Sequence, residues 1–185
     1  MKKLVIVING AGTSGKDSII EELSYLYLLM NESSIDPIKE IGEIVGTEGK
    51  KDPKTRKFLS DLKRVCEDYN EFTTNYLLQR VEEFRGSNHT LLFVHIREPE
   101  QIDKFVQRCS FPCKTVLVQR DGVESWGNDS DDNVNNYKYD YTLSNNDTIE
   151  KAARYLSHVI DNWLSDLPNI EVKRNVGENY ENTNI

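Results

Sequence analysis

A short glycine-rich stretch near the N-terminus has the residue spacing of a phosphate-binding loop. Gly10, Gly15 and Lys16 follow the pattern G-x-x-x-x-G-K. In such a loop the glycines let backbone amides approach phosphate oxygens, and the lysine reaches the outer phosphates. The next position usually holds Ser or Thr, whose hydroxyl binds magnesium. Asp17 stands there instead, so the spacing predicts a nucleotide phosphate site with an altered metal-binding position.

Asp17 has two interpretations, and the sequence favours neither. An acidic residue stabilises the positive end of a helix dipole, which would make Asp17 only a helix-start residue. Alternatively, its carboxylate replaces the hydroxyl as a ligand of Mg²⁺, a cation that prefers oxygen donors. We expect the phosphates of ATP to be held along the whole loop, by Gly10, Ala11, Gly12, Thr13, Ser14, Gly15, Lys16, Asp17 and Ser18.

The loop lies between a predicted strand and a predicted helix, which is the context that a phosphate-binding loop requires. The run LVIVI at 4–8 is apolar throughout, as in a strand that is buried on both faces. Apolar residues then recur near a 3.6-residue period from Lys16 to about Met30, which predicts a helix with a core-facing stripe.

Strand-like and helical segments alternate along the rest of the chain. Further strands are predicted in TLLFVHI (90–96), KTVLVQ (114–119) and YDYTLSN (139–145), and a closing amphipathic helix at 147–166. This alternation predicts an α/β fold in which a parallel sheet is flanked by helices on both faces.

The region between the first two strongly apolar strands has apolar residues at helical spacing. Pro37 is expected to break the backbone before a helical segment. From Arg56 to about Phe84, the apolar residues indicate one long helix or two joined ones. Tyr69 and Phe72 are interpreted as core residues at helical spacing, with the lining of an acceptor base pocket as the alternative.

Composition and charge argue against several kinds of partner. The 185-residue chain suits one α/β domain, and its net charge of −8 disfavours broad binding to nucleic acid or to anionic membranes. No apolar run approaches the ~18 residues of a membrane span. Three cysteines are an odd number, which is typical of a reduced, cytoplasmic protein. Cys109 and Cys113 lack the second pair of ligands that a zinc site would need.

Several stretches, taken in order, resemble phage-type deoxynucleoside monophosphate kinases. GAGTSGKDS resembles the GxxxxGKD loop of that family, a variant that also occurs in animal-type phosphomevalonate kinases. Four more stretches are similar to family segments: IDPIKE to A-D-P-L-K-E, TRKFLSDL to R-x-L-L-Q, VHIREPEQI to D-V-R-F-P-N-E, and YDYTLSNNDTIEKAARYL to D-x-x-I-x-N-x-G-T-x-x-x-L. Together they cover most of residues 4–165.

The resemblance implies a three-layer P-loop fold of the nucleoside monophosphate kinase type and an activity that uses ATP and Mg²⁺. The γ-phosphoryl of ATP would move to a phosphate acceptor, a (deoxy)nucleoside monophosphate. The implied catalytic residues are Lys16, Arg97 and Arg120; the implied acceptor-binding residues are Arg56, Arg64, Tyr69 and Arg97; the implied metal ligand is Asp17.

The resemblance also implies a domain organisation. One kinase-like domain would span 1–176, with an acceptor-binding insertion at about 34–85 and a lid loop at about 120–138, followed by a disordered tail at 177–185. Such a protein would act on small-molecule nucleotides in the cytoplasm, as a monomer or a homodimer.

His95 departs from the family pattern. The family has an aspartate near the end of this strand, where an acid usually supports the magnesium shell, but this sequence has His95. Metal binding would then depend on Asp17 or on Glu98. Two alternative functions follow: a kinase of another phosphorylated metabolite, such as phosphomevalonate, and a degenerate nucleotide-binding protein with a regulatory role.

Overall fold

The computed structural model describes residues 1–50, 52–122 and 133–169, which form a sheet between two layers of helices. The strands are β1 (Leu4–Asn9), β2 (Leu29–Ser33), β3 (Leu91–His95), β4 (Cys113–Gln119) and β5 (Tyr141–Ser144). The α-helices are α1 (Lys16–Ser24), α2 (Asp36–Ile44), α3 (Pro53–Asn70), α4 (Phe72–Gly86), α5 (Pro99–Arg108) and α6 (Ile149–Asp166), and a 3₁₀ turn covers Asn133–Asn136.

The sheet is parallel throughout, with the strand order β2-β3-β1-β4-β5. β1 lies at the centre of the sheet, and all six of its residues are therefore buried. Ile6 belongs to the core on the face of α1 and α6, whereas Val7 belongs to the core on the face of α4 and α5. The predicted α/β class, with helices on both faces of a parallel sheet, is confirmed.

Parallel pairing brings the carboxyl ends of three strands to one edge of the sheet. Ile8 of β1 pairs with His95 of β3 and with Val116 of β4. The loops that follow β1, β3 and β4 therefore leave the sheet side by side. In open α/β sheets this edge is where ligands bind.

The helix predicted for 16–30 ends early, so its second half is wrong. α1 stops at Ser24, one residue after Leu23, the last side chain that it buries. Leu29 begins β2 instead and pairs with Leu91 of β3. The apolar run after Ser24 is compatible with the 3.6-residue period of a helix and with the two-residue period of a strand. The hydrogen bonds of an additional parallel strand decide in favour of the sheet.

The expectation that Pro37 breaks the backbone is wrong. Pro37 lies in the first turn of α2, where the missing N–H removes no helical hydrogen bond. Pro53 and Pro99 begin α3 and α5 in the same way. These prolines therefore mark helix starts.

The region from Arg56 to about Phe84 forms two joined helices, one of the two predicted alternatives. α3 and α4 meet at Glu71, whose φ of 55° lies in the left-handed region and redirects the chain. α2 to α4 occupy most of the predicted insertion at 34–85, whose acceptor-binding role stays a prediction.

The core interpretation of Tyr69 is wrong. Tyr69 is 85% exposed, and Phe58 and Val65 on the same helix are 39% and 58% exposed. α3 buries Thr55 and Lys63 instead. The helix lies at the edge of the molecule and contacts its neighbours along a narrow stripe, so apolar side chains outside that stripe face solvent.

The remaining predicted elements agree with the structure. β3, β4, β5 and α6 coincide within a few residues with the segments predicted at 90–96, 114–119, 139–145 and 147–166. The tail at 177–185 and most of the predicted lid at 120–138 lie outside the described residues. No helix in the described part of the chain is long and apolar enough to cross a membrane.

Candidate active site

The loop after β1 has a backbone that only glycine accommodates at two positions. Gly10 has a φ of 148°, and a Cβ there would lie 2.4 Å from the Val118 carbonyl oxygen. Gly15 has a φ of 93°, and its Cβ would lie 2.4 Å from Asn145 Nδ2. Thr13 between them also takes a left-handed φ, of 64°. The loop is thus wrapped closely against β4 and β5, as a phosphate cradle requires.

The N-terminus of α1 is open to an anion. Gly15 is its cap residue, and within the described chain no hydrogen bond from a cap side chain closes this end. By contrast, Asp52 caps α3 through Thr55 N at 2.9 Å, and Thr148 caps α6 through Lys151 N at 3.3 Å. The first amides of a helix without such a cap attract phosphate oxygens.

Lys16 lies folded over this loop. Its Nζ donates to the carbonyl oxygens of Gly10 at 2.7 Å and Ala11 at 2.9 Å, and to Ser14 Oγ at 3.2 Å. Since these acceptors belong to the loop itself, the ammonium group is already positioned at the centre of the cradle. A phosphate bound there would replace neutral carbonyl acceptors with charged oxygens.

Asn9 joins the start of the loop to the neighbouring strand exits. Its side chain is 1% exposed, and its Oδ1 accepts a hydrogen bond from Gly10 N at 2.8 Å. Its Nδ2 donates to the Arg97 carbonyl at 3.0 Å and to Tyr139 Oη at 2.8 Å. One buried amide therefore fixes the phosphate loop relative to the segment that carries Arg97.

Asn145 is a site residue that the sequence interpretation missed. It is 1% exposed and follows β5, and its Nδ2 donates to the Ser14 carbonyl at 2.7 Å. Asn146 exchanges two hydrogen bonds of 2.7 Å with Asp121. The loops after β4 and β5 are thereby tied to each other and to the phosphate loop. The sequence did contain a sign of this residue, because Asn145 matches the N of the family segment D-x-x-I-x-N-x-G-T.

His95, the last residue of β3, faces the start of α1. Its Nε2 lies 2.8 Å from Asn31 Oδ1 and 3.8 Å from Asp17 Oδ1. Burial lowers the pKa of His95 to about 4; Lys16 and Arg97 act in the same direction, and Asp17 opposes them. The imidazole is therefore neutral at pH 7.

The two candidate catalytic arginines lie at this same sheet edge. Arg97 is half-buried two residues after the end of β3, with its carbonyl held by Asn9. Arg120 is exposed directly after β4, next to Asp121. The structure thus brings Arg97 and Arg120 to either side of the phosphate loop.

The candidate acceptor residues on α3 are all exposed to solvent. Arg56 is exposed in the first turn. Arg64 has a side chain that is 71% exposed, and it lies 3.7 Å from Asp61 one turn earlier, as in a solvated ion pair. Tyr69 extends into solvent further along the same helix. Arg64 and Tyr69 are thus both largely exposed to solvent, and their roles in acceptor binding stay predictions.

Lys63 is the cation that α3 directs inward, and the sequence interpretation missed it. Its side chain is 11% exposed, and its Nζ lies 2.6 Å from Glu98 Oε2. Glu98 directly follows Arg97. Helical spacing could have indicated this residue, because Lys63 lies two turns after Thr55 and so shares its face of α3. Glu98 is therefore engaged with a lysine in this arrangement, and its role as a metal ligand stays a prediction.

A half-buried carboxylate, that of Glu67, fixes the end of α3 against its neighbours. Glu67 accepts hydrogen bonds from the backbone and hydroxyl groups of Thr73 and Thr74, at 2.6 to 3.2 Å for three of them. Gln101 of α5 donates to both hydroxyl oxygens. Burial alone would raise the pKa of Glu67, but these hydrogen bonds outweigh it and hold the pKa below its ordinary value.

The cysteines give no sign of a metal centre. Cys66, Cys109 and Cys113 are free thiols. Within the described ranges, no three or more His, Cys, Asp and Glu side chains gather into a group that could hold a metal ion. The interpretation of the cysteines as ordinary thiols stays a prediction.

Comparisons with known proteins identify the fold. No family model matches the sequence, and no curated protein compared with it matches. The shikimate kinase of Aquifex aeolicus superposes with a TM-score of 0.51 at 10% identity, over 88% of this chain and 99% of that one. The shikimate kinase of Bacteroides thetaiotaomicron gives a TM-score of 0.46 at 14% identity, over 85% and 98%. At such identities the likeness identifies the P-loop NTPase fold alone.

Proposed function

We propose that this protein is an ATP-dependent small-molecule kinase, which transfers the γ-phosphoryl group of ATP to a phosphate acceptor, a (deoxy)nucleoside monophosphate. The observation that carries the proposal is the loop after β1. Gly10, Gly15 and Lys16 form a closed cradle at the ligand-binding edge of a parallel sheet, ahead of a helix start that no cap side chain closes. Transfer of this kind depends mainly on positioning and charge.

The loop suits a triphosphate, because its glycine backbone turns tightly at Gly10 and Gly15 and Lys16 supplies an ammonium group against it. Asp17 and Ser18 stand at the start of α1, where their oxygens can hold a divalent cation. When bound, Mg²⁺ would neutralise charge on the phosphates. Lys16 would bind the outer phosphates, and Arg120 would cover them from the β4 side.

The acceptor phosphate needs cations in a protein whose net charge is −8. Arg97 lies at the sheet edge, and Lys63 meets Glu98 beside it at 2.6 Å. Glu98 is 40% exposed in its side chain, so an incoming phosphate can replace its carboxylate as the partner of Lys63. Arg56 remains a further candidate at the start of α3. We therefore assign the acceptor phosphate to Arg97 and Lys63, with Arg56 at the rim.

One observation favours a second candidate function, a nucleotide-binding protein that does not transfer phosphate. His95 occupies the strand end where an acid usually supports the metal. A neutral imidazole there would leave the nucleotide bound with a weaker magnesium shell. A kinase of another phosphorylated metabolite stays the alternative within enzymes. In each case the substrates are small molecules, and we propose a cytoplasmic monomer or homodimer that binds neither nucleic acid nor membranes.

A phosphotransfer assay with ATP and magnesium tests the function. The acceptors are a panel of nucleoside and deoxynucleoside monophosphates plus phosphomevalonate. We expect ADP formation that depends on one of the nucleoside monophosphates. ATP binding without any acceptor-dependent ADP would establish the non-catalytic alternative, and turnover with phosphomevalonate alone the metabolite alternative. Absence of ATP binding would refute the nucleotide site altogether.

Two neighbouring residues of α3 provide a matched test of the acceptor site. Lys63→Ala should raise the acceptor's KM by about tenfold or more, since a charge-assisted hydrogen bond contributes about 1.5–3 kcal/mol. Its ATP affinity should not change. Arg64→Ala, which removes an exposed cation from the same helix, should leave both constants near the wild-type values. Equal KM values for the two variants would place the acceptor phosphate elsewhere.

A further inference from the structure

Three side chains from three different elements meet beside the phosphate loop. Asp17 comes from the first turn of α1, His95 from the end of β3 and Asn31 from β2. His95 Nε2 is 3.8 Å from Asp17 Oδ1 and 2.8 Å from Asn31 Oδ1. The histidine side chain is 15% exposed, whereas that of Asp17 is 90% exposed. The cluster thus combines a largely buried imidazole nitrogen with a carboxylate that is exposed to solvent.

We propose that His95 Nε2 and the Asp17 carboxylate directly ligate the divalent cation that accompanies the nucleotide, and that the site therefore selects a first-row transition cation such as Mn²⁺ or Co²⁺ over Mg²⁺. The inference rests on the proposed nucleotide site, since phosphate oxygens would supply the remaining ligands. It assigns to His95 a metal-binding role in place of the missing strand-end acid.

The separations of the donor atoms fit a shared ion. With metal–ligand distances of about 2.1 Å, two ligands at a right angle lie roughly 3.0 Å apart and two opposite ligands about 4.2 Å apart. The 2.8 Å between Nε2 and Asn31 Oδ1 is near the first spacing. The 3.8 Å between Nε2 and Asp17 Oδ1 falls between the two. Small side-chain movements would bring all three atoms onto one cation.

Two other carboxylates of the described residues at this end of the sheet each pair with a lysine. Glu98 pairs with Lys63 at 2.6 Å. Asp36 accepts from Ser33 N at 2.9 Å and pairs with Lys39 at 2.9 Å. Asp17 is thus the carboxylate best placed to share an ion with His95.

The donor chemistry sets the cation preference. Mg²⁺ takes oxygen ligands in a strict octahedral arrangement, whereas imidazole nitrogen suits transition cations. An amide oxygen such as Asn31 Oδ1 can only accept a hydrogen bond, so Nε2 carries the ring proton in this contact. Cation binding at Nε2 shifts that proton to Nδ1, which keeps the ring neutral and releases no proton. The freed Asn31 oxygen is then a third donor.

Pulsed EPR on bound Mn²⁺ tests the nitrogen ligand directly. The protein is labelled uniformly with ¹⁵N and mixed with unlabelled ATP and Mn²⁺, so that any ¹⁵N coupling to manganese comes from the protein and not from adenine. We expect a coupling typical of a directly bound imidazole in the wild type. It should disappear in His95→Gln and persist in the control His158→Gln, which changes an exposed histidine on α6.

A binding comparison extends the test to selectivity. The ratio of Mn·ATP to Mg·ATP affinity, measured by calorimetry, should be at least tenfold higher in the wild type than in His95→Asp, whose ligands are all oxygens. Manganese bound with ATP but without imidazole ¹⁵N coupling in the wild type would overturn the inference and leave the kinase proposal standing. An equal affinity ratio in both proteins would overturn the selectivity. If no divalent cation binds with ATP, both proposals fail.

Discussion

The proposed nucleotide side and the proposed acceptor side of the sheet edge are built differently. On the nucleotide side, Asn9 and Asn145 are each 1% exposed and hold the phosphate loop through hydrogen bonds of 2.7 to 3.0 Å. On the acceptor side, α3 buries only Thr55 and Lys63. Much of its apolar surface faces solvent, as the 85% exposure of Tyr69 shows.

This difference indicates how each half of the proposed reaction would obtain its geometry. The phosphate loop is held by buried neutral amides, so it is formed before ATP arrives and its shape should depend little on pH or salt. The acceptor helix is held by charged contacts, the Lys63–Glu98 ion pair and the hydrogen bonds of Glu67. Its position can therefore respond to an anionic acceptor that competes for Lys63.

Removal of the loop lysine should give the largest effect. Lys16→Ala should weaken ATP binding by roughly tenfold to a hundredfold, because charge-assisted hydrogen bonds contribute about 1.5–3 kcal/mol. The melting temperature should change little, since Lys16 Nζ donates to oxygens of the loop itself and a loop lysine contributes little to the core. Calorimetric titration with ATP measures the loss. Lys39→Ala, which removes an exposed lysine from α2, serves as the control, and equal affinities in the two variants would contradict a preformed phosphate site.

Two glycines with similar backbones test how tightly the loop is packed. Gly15 and Gly46 have φ values of 93° and 88°, but only Gly15 would place a Cβ against a neighbour, Asn145 Nδ2 at 2.4 Å. Both alanine variants share a left-handed strain of about 1–2 kcal/mol. Gly15→Ala should cost about 1–3 kcal/mol more, because overpacking adds to the strain. Denaturant unfolding measures this difference.

The result of the glycine pair would sharpen the comparison in either direction. A larger loss at Gly15 would show that the loop and the segment after β5 form one rigid unit. Equal losses at the two positions would mean that Asn145 moves aside easily, and the nucleotide side would then be no more rigid than the acceptor side.

The smallest expected effect is the pH dependence of the acceptor side. The pKa of Glu67 lies below its ordinary value of 4.5, because the hydrogen bonds from Thr73 and Thr74 outweigh burial. The carboxylate therefore stabilises the fold above pH 4.5, and this stabilisation is lost as the pH falls through the folded pKa. Glu67→Gln should be less stable than the wild type at pH 7, and the gap should narrow below pH 4.5.

Urea unfolding at pH 7 and at an acidic pH measures this gap. The control is Glu43→Gln, an exposed glutamate of α2, which should change stability little at either pH. A gap between wild type and Glu67→Gln that stays constant with pH would show that the carboxylate charge does not hold α3 to α4.

The sequence alone determined the central sheet and the phosphate loop. The buried run at 4–8 and the spacing of Gly10, Gly15 and Lys16 are local patterns, and each reflects the chemistry of neighbouring residues. The resemblance in YDYTLSNNDT also contained Asn145, although its contact with Ser14 spans 131 positions. A local pattern can indicate such a residue, but it does not show what the side chain contacts.

The tertiary structure alone decided which residues of the weaker patterns face the site. On α3 the tyrosine and one arginine face solvent, while Lys63 turns inward to Glu98, 35 positions later. His95 meets Asn31 across 64 positions, because the apolar run expected to extend a helix became β2 beside β3. The physical reason is the same in both cases. The spacing of apolar residues indicates whether a segment is a helix or a strand. The neighbouring elements determine which face of that helix or strand is buried.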